Sequence, residues 1–498
     1  MLDGLPLAIA QAGAYLQESG LGLATYLRFY KQQWSELMEA GHEGDAPLQD
    51  YPERSVWTTW AISYQAIRER HEHTANLLLL WSFLDNKDLW HGLFATACSR
   101  SAVAAKMLSE WIGHIASSEI KFSRAMQLLC NYSLVEQMQE SGSYATHPVV
   151  HQWACHSQGK RFAAELSRLA VVTVGHAVPE SSTRDYAALQ RRLLLHAQAC
   201  SSQVVERKTV WGRRAEDGSN EDVNEDQERE TVLDAMHLLG LLYAAQGRLG
   251  EAEQMYERAL RGKEEAFGVG HSSTLDTVNN LGNLYYSQGK LDKAEQMYER
   301  ALRGYEEAFG VDHSSTLQTV NNLGLLYADQ GKLGEAEKMY GRALRGFEEA
   351  LGVGHSSTLD TVNNLGVLYA YQGKLDKAEQ MYERALRGYE ALGSVRVQQY
   401  LPALNTLQNM GDLYAKRAES VKARAAYTRA LSGLTSVLGA SSERCIGLTA
   451  KIDALPSASR EEGGQSQLPT VGERPAPLQD PAKKGPKLSV RRLVRKMF

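Results

Sequence analysis

One phrase is written four times between Thr231 and Gly388. It is clearest from Leu275 to Gly304, LDTVNNLGNLYYSQGKLDKAEQMYERALRG, and it returns at Leu317, at Leu359 and, more loosely, at Leu233, with a period of 42. A fixed period of about 20–50 residues marks an array of stacked units, each burying its apolar face against its neighbours.

Each unit reads as two helices. Val278, Leu281, Leu284 and Tyr285 fall at helical spacing and give the first helix one apolar stripe. It ends at Gln288-Gly289, because glycine takes the left-handed conformation that stops a helix. The second helix carries Ala294, Met297, Tyr298 and Ala301 on one face. Small residues recur at Gly240, Gly282, Gly324 and Gly366 and at Ala252, Ala294, Ala336 and Ala378. Two helix axes can come close at such places, with Tyr256, Tyr298, Tyr340 and Tyr382 filling the next gap. A fifth unit has three extra residues: Gly411, Leu413, Tyr414, Ala423, Tyr427 and Ala430 keep the pattern, and Ala418 replaces the turn glycine. An end repeat need not match a neighbour on both sides. Residues Glu443 to Leu455 supply a closing helix.

Gly282, Tyr285, Gly289, Ala294, Tyr298 and Ala301 resemble the small and aromatic positions of the tetratricopeptide family, whose period is about 34. The extra residues here, EEAFGVDHSS and its variants, lengthen the second helix and its loop. That longer form is similar to the repeats of kinesin light chains and of many fungal proteins. The resemblance implies a right-handed α-solenoid whose first helices line an inner, concave wall.

Composition narrows the classes. A net charge of −5 makes no case for nucleic-acid binding. The cysteines Cys98, Cys130, Cys155, Cys200 and Cys445 are odd in number and never in CxxC spacing, which argues against a disulfide framework or zinc site and for a reducing compartment. No apolar run approaches the length of a membrane span, and Met1 leads into Asp3-Gly4 with no basic leader. The expected location is cytoplasmic.

Gly4-Leu5-Pro6-Leu7 begins an amphipathic helix with Pro6 in its first turn. Trp57, Trp60, Ile67, Leu77, Leu80, Trp81 and Leu84 mark buried helices, and Ser133–Met138 and Tyr144–Thr146 flank Gly142 as a β-hairpin. His147-Pro148 then opens a helix with Val149, Val150 and Trp153 inward. GLPL resembles the motif of that name in NB-ARC proteins, the nucleotide-switch ATPases of NOD-like receptors, and the order that follows resembles their winged-helix domain. THPVVHQWA resembles their MHD motif, with Thr146 and Pro148 in place of its outer letters, as in the fungal branch. The resemblance places Pro6 near an adenine and His147 near the β-phosphate of ADP. Read without the family, His147 is a hairpin-end histidine bonded to backbone.

The phosphate-binding string GxxxxGK[ST] is missing from the sequence. The chain thus resembles the C-terminal part of a fungal NB-ARC–TPR (STAND) protein. No cofactor is expected of it, ADP being implied only together with the missing phosphate-binding domain, and nucleotide hydrolysis is not expected. The domains expected are residues 1–49 (helical remnant with GLPL), 50–155 (winged-helix-like), 156–212 (helical connector), 213–230 (acidic, disordered), 231–456 (solenoid) and 457–498 (disordered tail with a basic end). For that end, with Lys483, Lys484, Lys487, Arg491, Arg492, Arg495 and Lys496 among apolar residues, contact with an anionic membrane stands beside an unstructured terminus.

His271, His313 and His355 recur in HSSTL but lie too far apart to share a metal ion, and read as loop and cap residues, with the Ser/Thr after them capping the next helix. No nucleophile–base pair is legible, so the chain is not expected to be an enzyme. Asn279-Asn280, Asn321-Asn322 and Asn363-Asn364 stand at inner positions of three units. An amide both donates and accepts, so they either hold the backbone of an extended peptide or bond across to the next helix and stiffen the stack. Between the second and fourth units only Asn283/Val367, Tyr286/Ala370 and Ser287/Tyr371 differ over the phrase, and the third has Leu325, Ala328 and Asp329 there. Spacing i, i+3, i+4 puts these on one face. The expected function is a non-catalytic scaffold that reads a protein or peptide with that face, the sensor part of an NLR-like signalling protein. Oligomeric state is left open. The alternatives are a kinesin-light-chain-like cargo adaptor, which predicts a heptad coiled coil that is not legible, and a STAND ATPase lacking its upstream portion.

Overall fold

The computed structural model describes residues 6–40, 51–138, 142–158, 160–180, 183, 185–206, 221–391 and 400–456. Among them are 21 α-helices and one two-stranded hairpin, the mostly α class the periodicity predicts. The chain forms two compact units, residues 1–266 and 267–498.

The first unit opens with α1 (Pro6–Ser19), α2 (Leu23–Ala40), α3 (Tyr51–Arg70) and α4 (Glu72–Trp81). Pro6 begins α1, where its missing N–H removes no helical bond. Trp60, Ile67, Leu77, Leu80, Trp81 and Leu84 are buried. Then come α5 (His91–Arg100), α6 (Ala102–Ile112), α7 (Glu119–Asn131), β1 (Val135–Gln137), β2 (Tyr144–Thr146) and α8 (Pro148–His156). The hairpin is antiparallel, with Val135 opposite Thr146. Leu89 adds a rung that the sequence did not announce: Leu89 and Tyr144 exchange two N–H···O bonds of 2.9 Å. A rung before α5, helices, then a hairpin is a winged-helix-like order.

The unit continues through α9 (Lys160–Ala177), α10 (Tyr186–Glu206), α11 (Glu221–Ala245) and α12 (Leu249–Phe267). At Gly175 in α9 a Cβ would lie 2.5 Å from the Ala235 carbonyl oxygen in α11, so only glycine permits this approach. The acidic stretch 213–230, expected to be disordered, is helical from Glu221 on; 213–220 lie outside the described residues. Val232, Leu233, Ala235 and Met236 are buried and supply a helix nucleus, from which extension is easy. Acidic side chains in a first turn are favoured by the helix dipole.

The second unit pairs α13 (Ser272–Gln288) with α14 (Leu291–Phe309), α15 (Ser314–Asp329) with α16 (Leu333–Leu351), α17 (Ser356–Tyr371) with α18 (Leu375–Ala391) and α19 (Leu401–Lys416) with α20 (Ser420–Leu438). The closing helix is α21 (Glu443–Asp453). Two kinds of core alternate. Within a repeat, Leu317 and Val320 meet Ala343 and Phe347. Between repeats, Ala336 and Tyr340 meet Leu365 and Leu368 of the next first helix. A Cβ at Gly324 would sit 2.8 Å from the Tyr340 ring, which is why the residue there is small. Successive first helices approach one another more closely than successive second helices do.

Candidate binding face

The asparagines bond from repeat to repeat. The Asn279 side-chain oxygen accepts from the Thr319 hydroxyl at 3.3 Å and from Asn322 Nδ2 at 3.4 Å. Asn321 accepts from Asn364 at 3.3 Å, and Asn363 from Thr406 at 3.1 Å and Asn409 at 3.2 Å. Asn280 instead bonds within its own helix, accepting from Asn283 Nδ2 at 3.2 Å. Of the two readings of these amides, this geometry favours the cross-helix one. Asn321 and Asn363 are buried, and each joint spends a carbonyl oxygen on its neighbour. Thr319, Thr406 and Asn409 complete the ladder and were not singled out in the sequence. Their recurrence is the signal that finds them: Thr319 and Thr406 stand one repeat after Thr277 and Thr361, and Asn409 one repeat after Asn364.

The variable residues behave differently from one another. Tyr286 is only 3% exposed, and its hydroxyl donates to Asp329 Oδ2 at 2.6 Å across the joint. Burial, and then the Asp329 carboxylate, raise its pKa above the ordinary tyrosine value. Asn283 accepts from the Tyr298 hydroxyl at 2.7 Å and from Asn322 at 3.2 Å. Leu325 and Val367 hold the same register, half-buried, and Asp412 holds it in the fifth unit, where it accepts from Tyr427 at 2.5 Å and from Lys451. One turn further on, Ser287 donates to the Asn283 carbonyl at 2.9 Å and Asp329 is half-buried, whereas Tyr371 is 42% exposed and Lys416 is exposed. Lys416 Nζ reaches the Ala370 carbonyl at 3.1 Å. The two rows form a continuous strip along four first helices.

A second pair also varies between the repeats. Tyr305 donates to Asp276 at 2.5 Å and Tyr389 donates to Asp360; in the third repeat both partners change together, to Phe347 and Gln318. In the first repeat the pair is Lys263 and Asp234, at 2.7 Å. Burial pushes the Asp360 carboxyl up to about 6, against the lowering effect of the Tyr389 hydroxyl. Comparing only the second and fourth units hides this pair, since both have Tyr and Asp.

The recurring histidines stand at N-cap positions, as expected of loop and cap residues, and two of them, His313 and His355, cap with their own side chains, whereas His271 makes no side-chain cap bond. His313 and His355 accept through Nδ1 from the N–H of Ser315 and Ser357, while Thr274, Thr316 and Thr358 donate back to the Gly268, Gly310 and Gly352 carbonyls. His147 caps α8 in the same way, accepting from Val149 N–H at 3.3 Å, and is exposed. That is the backbone-bonded reading of this residue. Among the described residues no group of three His, Cys, Asp or Glu side chains is placed to hold a metal ion. No helix among them is long and apolar enough to cross a membrane.

A family model described as tetratricopeptide repeat matches residues 231–307 and 315–391, and another of the same description matches 279–350, so the paired helices of that stretch are similar to tetratricopeptide repeats. The chain is also similar to a nucleotide-binding leucine-rich repeat (NLR)-like protein of Hyaloscypha variabilis, at 27% identity over 282 residues, which is 55% of this chain and 24% of that protein. The chain therefore spans about a quarter of the length of this curated relative. Among solved structures, a putative kinesin light chain with nearly identical TPR-like repeats from Podosopora anserina is 18% identical, covering 42% of this chain and 97% of that chain at a TM-score of 0.36. A STAND protein with a tetratricopeptide repeat sensor from Pyrococcus horikoshii is 13% identical, covering 90% of this chain and 62% of that one at a TM-score of 0.39.

Proposed function

We propose that the first-helix face of α13, α15, α17 and α19 binds an extended polypeptide segment, and that the chain is the recognition part of an NLR-like signalling protein in the cytoplasm. The repeats support an interaction scaffold in general. The observation that carries the finer reading is the strip of Asn283, Leu325, Val367 and Asp412 beside Ser287, Asp329, Tyr371 and Lys416. These positions change chemistry from repeat to repeat, while the asparagine ladder recurs at each joint. First helices that approach most closely bend a stack toward their own side, which supports reading the strip as part of an inner wall. The Asn279, Asn321 and Asn363 amides serve the proposal by stiffening that wall. A stiff wall loses less conformational freedom on binding. On this reading the chain performs no reaction itself, and Pro6 and His147 act only with a nucleotide domain supplied elsewhere.

The test is affinity capture with the full chain, wild type against a Leu325→Ala, Val367→Ala, Tyr371→Ala triple variant. Proteins held by the wild type and lost by the triple variant at unchanged thermal stability support the reading. Equal capture by both sinks it.

A further inference from the structure

Resting on that reading, we infer that the bound segment carries a basic, an apolar and an acidic residue at three-residue intervals. The strip is electrically graded along the array. At the third repeat it carries the charge of the half-buried Asp329 carboxylate, whose Oδ2 holds the Tyr286 hydroxyl at 2.6 Å and whose Oδ1 is buried. Its centre is apolar, with Leu325 and Val367 half-buried and the Tyr371 ring 42% exposed. At the fifth unit it offers the exposed Lys416 ammonium. Asp412, the other acid facing the centre, has its charge answered by Lys451. Asp329 and Asp412 both lie near enough to the Tyr371 phenol to raise its pKa, after burial, above the ordinary value. Arg417, next to Lys416, turns away to Glu379 and Asp376.

Spacing converts this gradient into a ligand pattern. Equivalent positions in neighbouring repeats are about one helix packing distance apart, roughly 8–10 Å. An extended chain in the polyproline-II conformation advances about 3.1 Å per residue and brings every third side chain to the same face, so about three residues of ligand span one repeat. A base over Asp329 and an acid over Lys416 are then about six residues apart, with an apolar side chain midway against Leu325, Val367 and Tyr371. The extended segment can run either way along the strip, so both charge orders fit, whereas two like charges do not.

Synthetic peptides of a neutral Ser/Ala background test this with the full chain, by fluorescence anisotropy at low salt. Four carry Leu at the centre with Lys/Glu, Glu/Lys, Lys/Lys or Glu/Glu three residues to either side. The expected result is that one or both mixed peptides bind about 2- to 5-fold tighter than either like-charged one, the size of an exposed charge pair. Lys416→Glu, at an exposed position, is expected to make the Lys/Lys peptide the best of the four, and Asp329→Asn to remove the need for the base. Equal affinities for all four, no binding by any, or an unchanged ranking in Lys416→Glu overturns the inference. Photo-crosslinking from the central Leu separates it from the broader reading. Attachment to α13, α15, α17 or α19 without charge preference rejects the pattern alone, while attachment only to second helices rejects the binding face as well.

Discussion

The interior repeats and the terminal unit are built from one phrase and differ in where their polar side chains point. In the interior, Glu295 takes Gln330 at 2.8 Å and Lys332 at 3.3 Å from the following repeat, and Glu337 takes Gln372 at 3.0 Å and Lys374 at 3.4 Å. Glu379 takes Tyr414 at 3.0 Å and Arg417 at 2.5 Å. At the corresponding place in the terminal unit stands Arg424, which donates at 3.0 Å to the Leu455 carbonyl at the end of its own closing helix. A second row, Glu306, Glu348 and Glu390, receives Arg342, Arg384 and Arg429, and its next member is Thr435, bonded to Cys445. Ile446 of α21 is 58% exposed at the register where Leu359 and Leu404 are 1% exposed. Interior units hand their donors and acceptors forward, and the last unit folds them back. A stack of like units ends when its outward-directed groups are redirected, not when its apolar core runs out.

The largest test of this contrast is Tyr340→Ala against Tyr427→Ala. Each removes a buried ring, costing about 3–5 kcal/mol where the site cannot collapse. Hydrogen exchange should show the interior change loosening helices on both sides of α16 and the terminal one loosening α19–α21 alone; identical footprints would erase the distinction. Gly324→Ala forces a methyl against Tyr340 and is expected to lower stability by about 1–3 kcal/mol in denaturant melts. Asn279→Ala leaves Thr319 and Asn322 with one acceptor fewer and is expected to cost about 1–2 kcal/mol. The terminal turn should respond in the opposite sense. Ala418 holds φ 59 where Gly289, Gly331 and Gly373 hold φ 80, 78 and 77, so Ala418→Gly relieves a left-handed alanine and is expected to add about 1 kcal/mol.

The smallest expected effect is one of pH. Burial raises the Asp360 carboxyl in the folded chain to about 6, above the ordinary aspartate value. Between roughly pH 4 and 6 the folded chain holds a proton that the unfolded chain has released, so stability falls as pH rises through that window and is flat above it. Asp360→Asn should flatten the profile there; an unchanged slope would show that other groups set it.

The helix pairs, turn glycines and small-residue rows are plain in the sequence because repetition writes each packing rule several times over. The asparagine function was not decided there, since an amide facing a ligand and an amide facing the next helix leave the same letters. Its spacing puts Tyr286 on the groove face, yet its hydroxyl is spent across the joint. A variable position therefore reports a difference between joints as readily as a difference in what is bound. The helical start of α11 was hidden because Glu221 to Glu230 carry no apolar stripe of their own, and their helix is propagated from Val232 onward. The Leu89 rung was hidden by its length, a single residue having no periodicity to read.

The asparagine ladder spans 43 positions at two joints and 46 at the last, the difference being the three residues added between Tyr389 and Tyr400. Each rung needs only its own unit and the one after it. Copying or losing a whole unit by unequal recombination would restore every rung, whereas losing a fraction of one would break the ladder at that place. Such an array can lengthen or shorten its reach in fixed steps over generations without passing through a form that fails to fold.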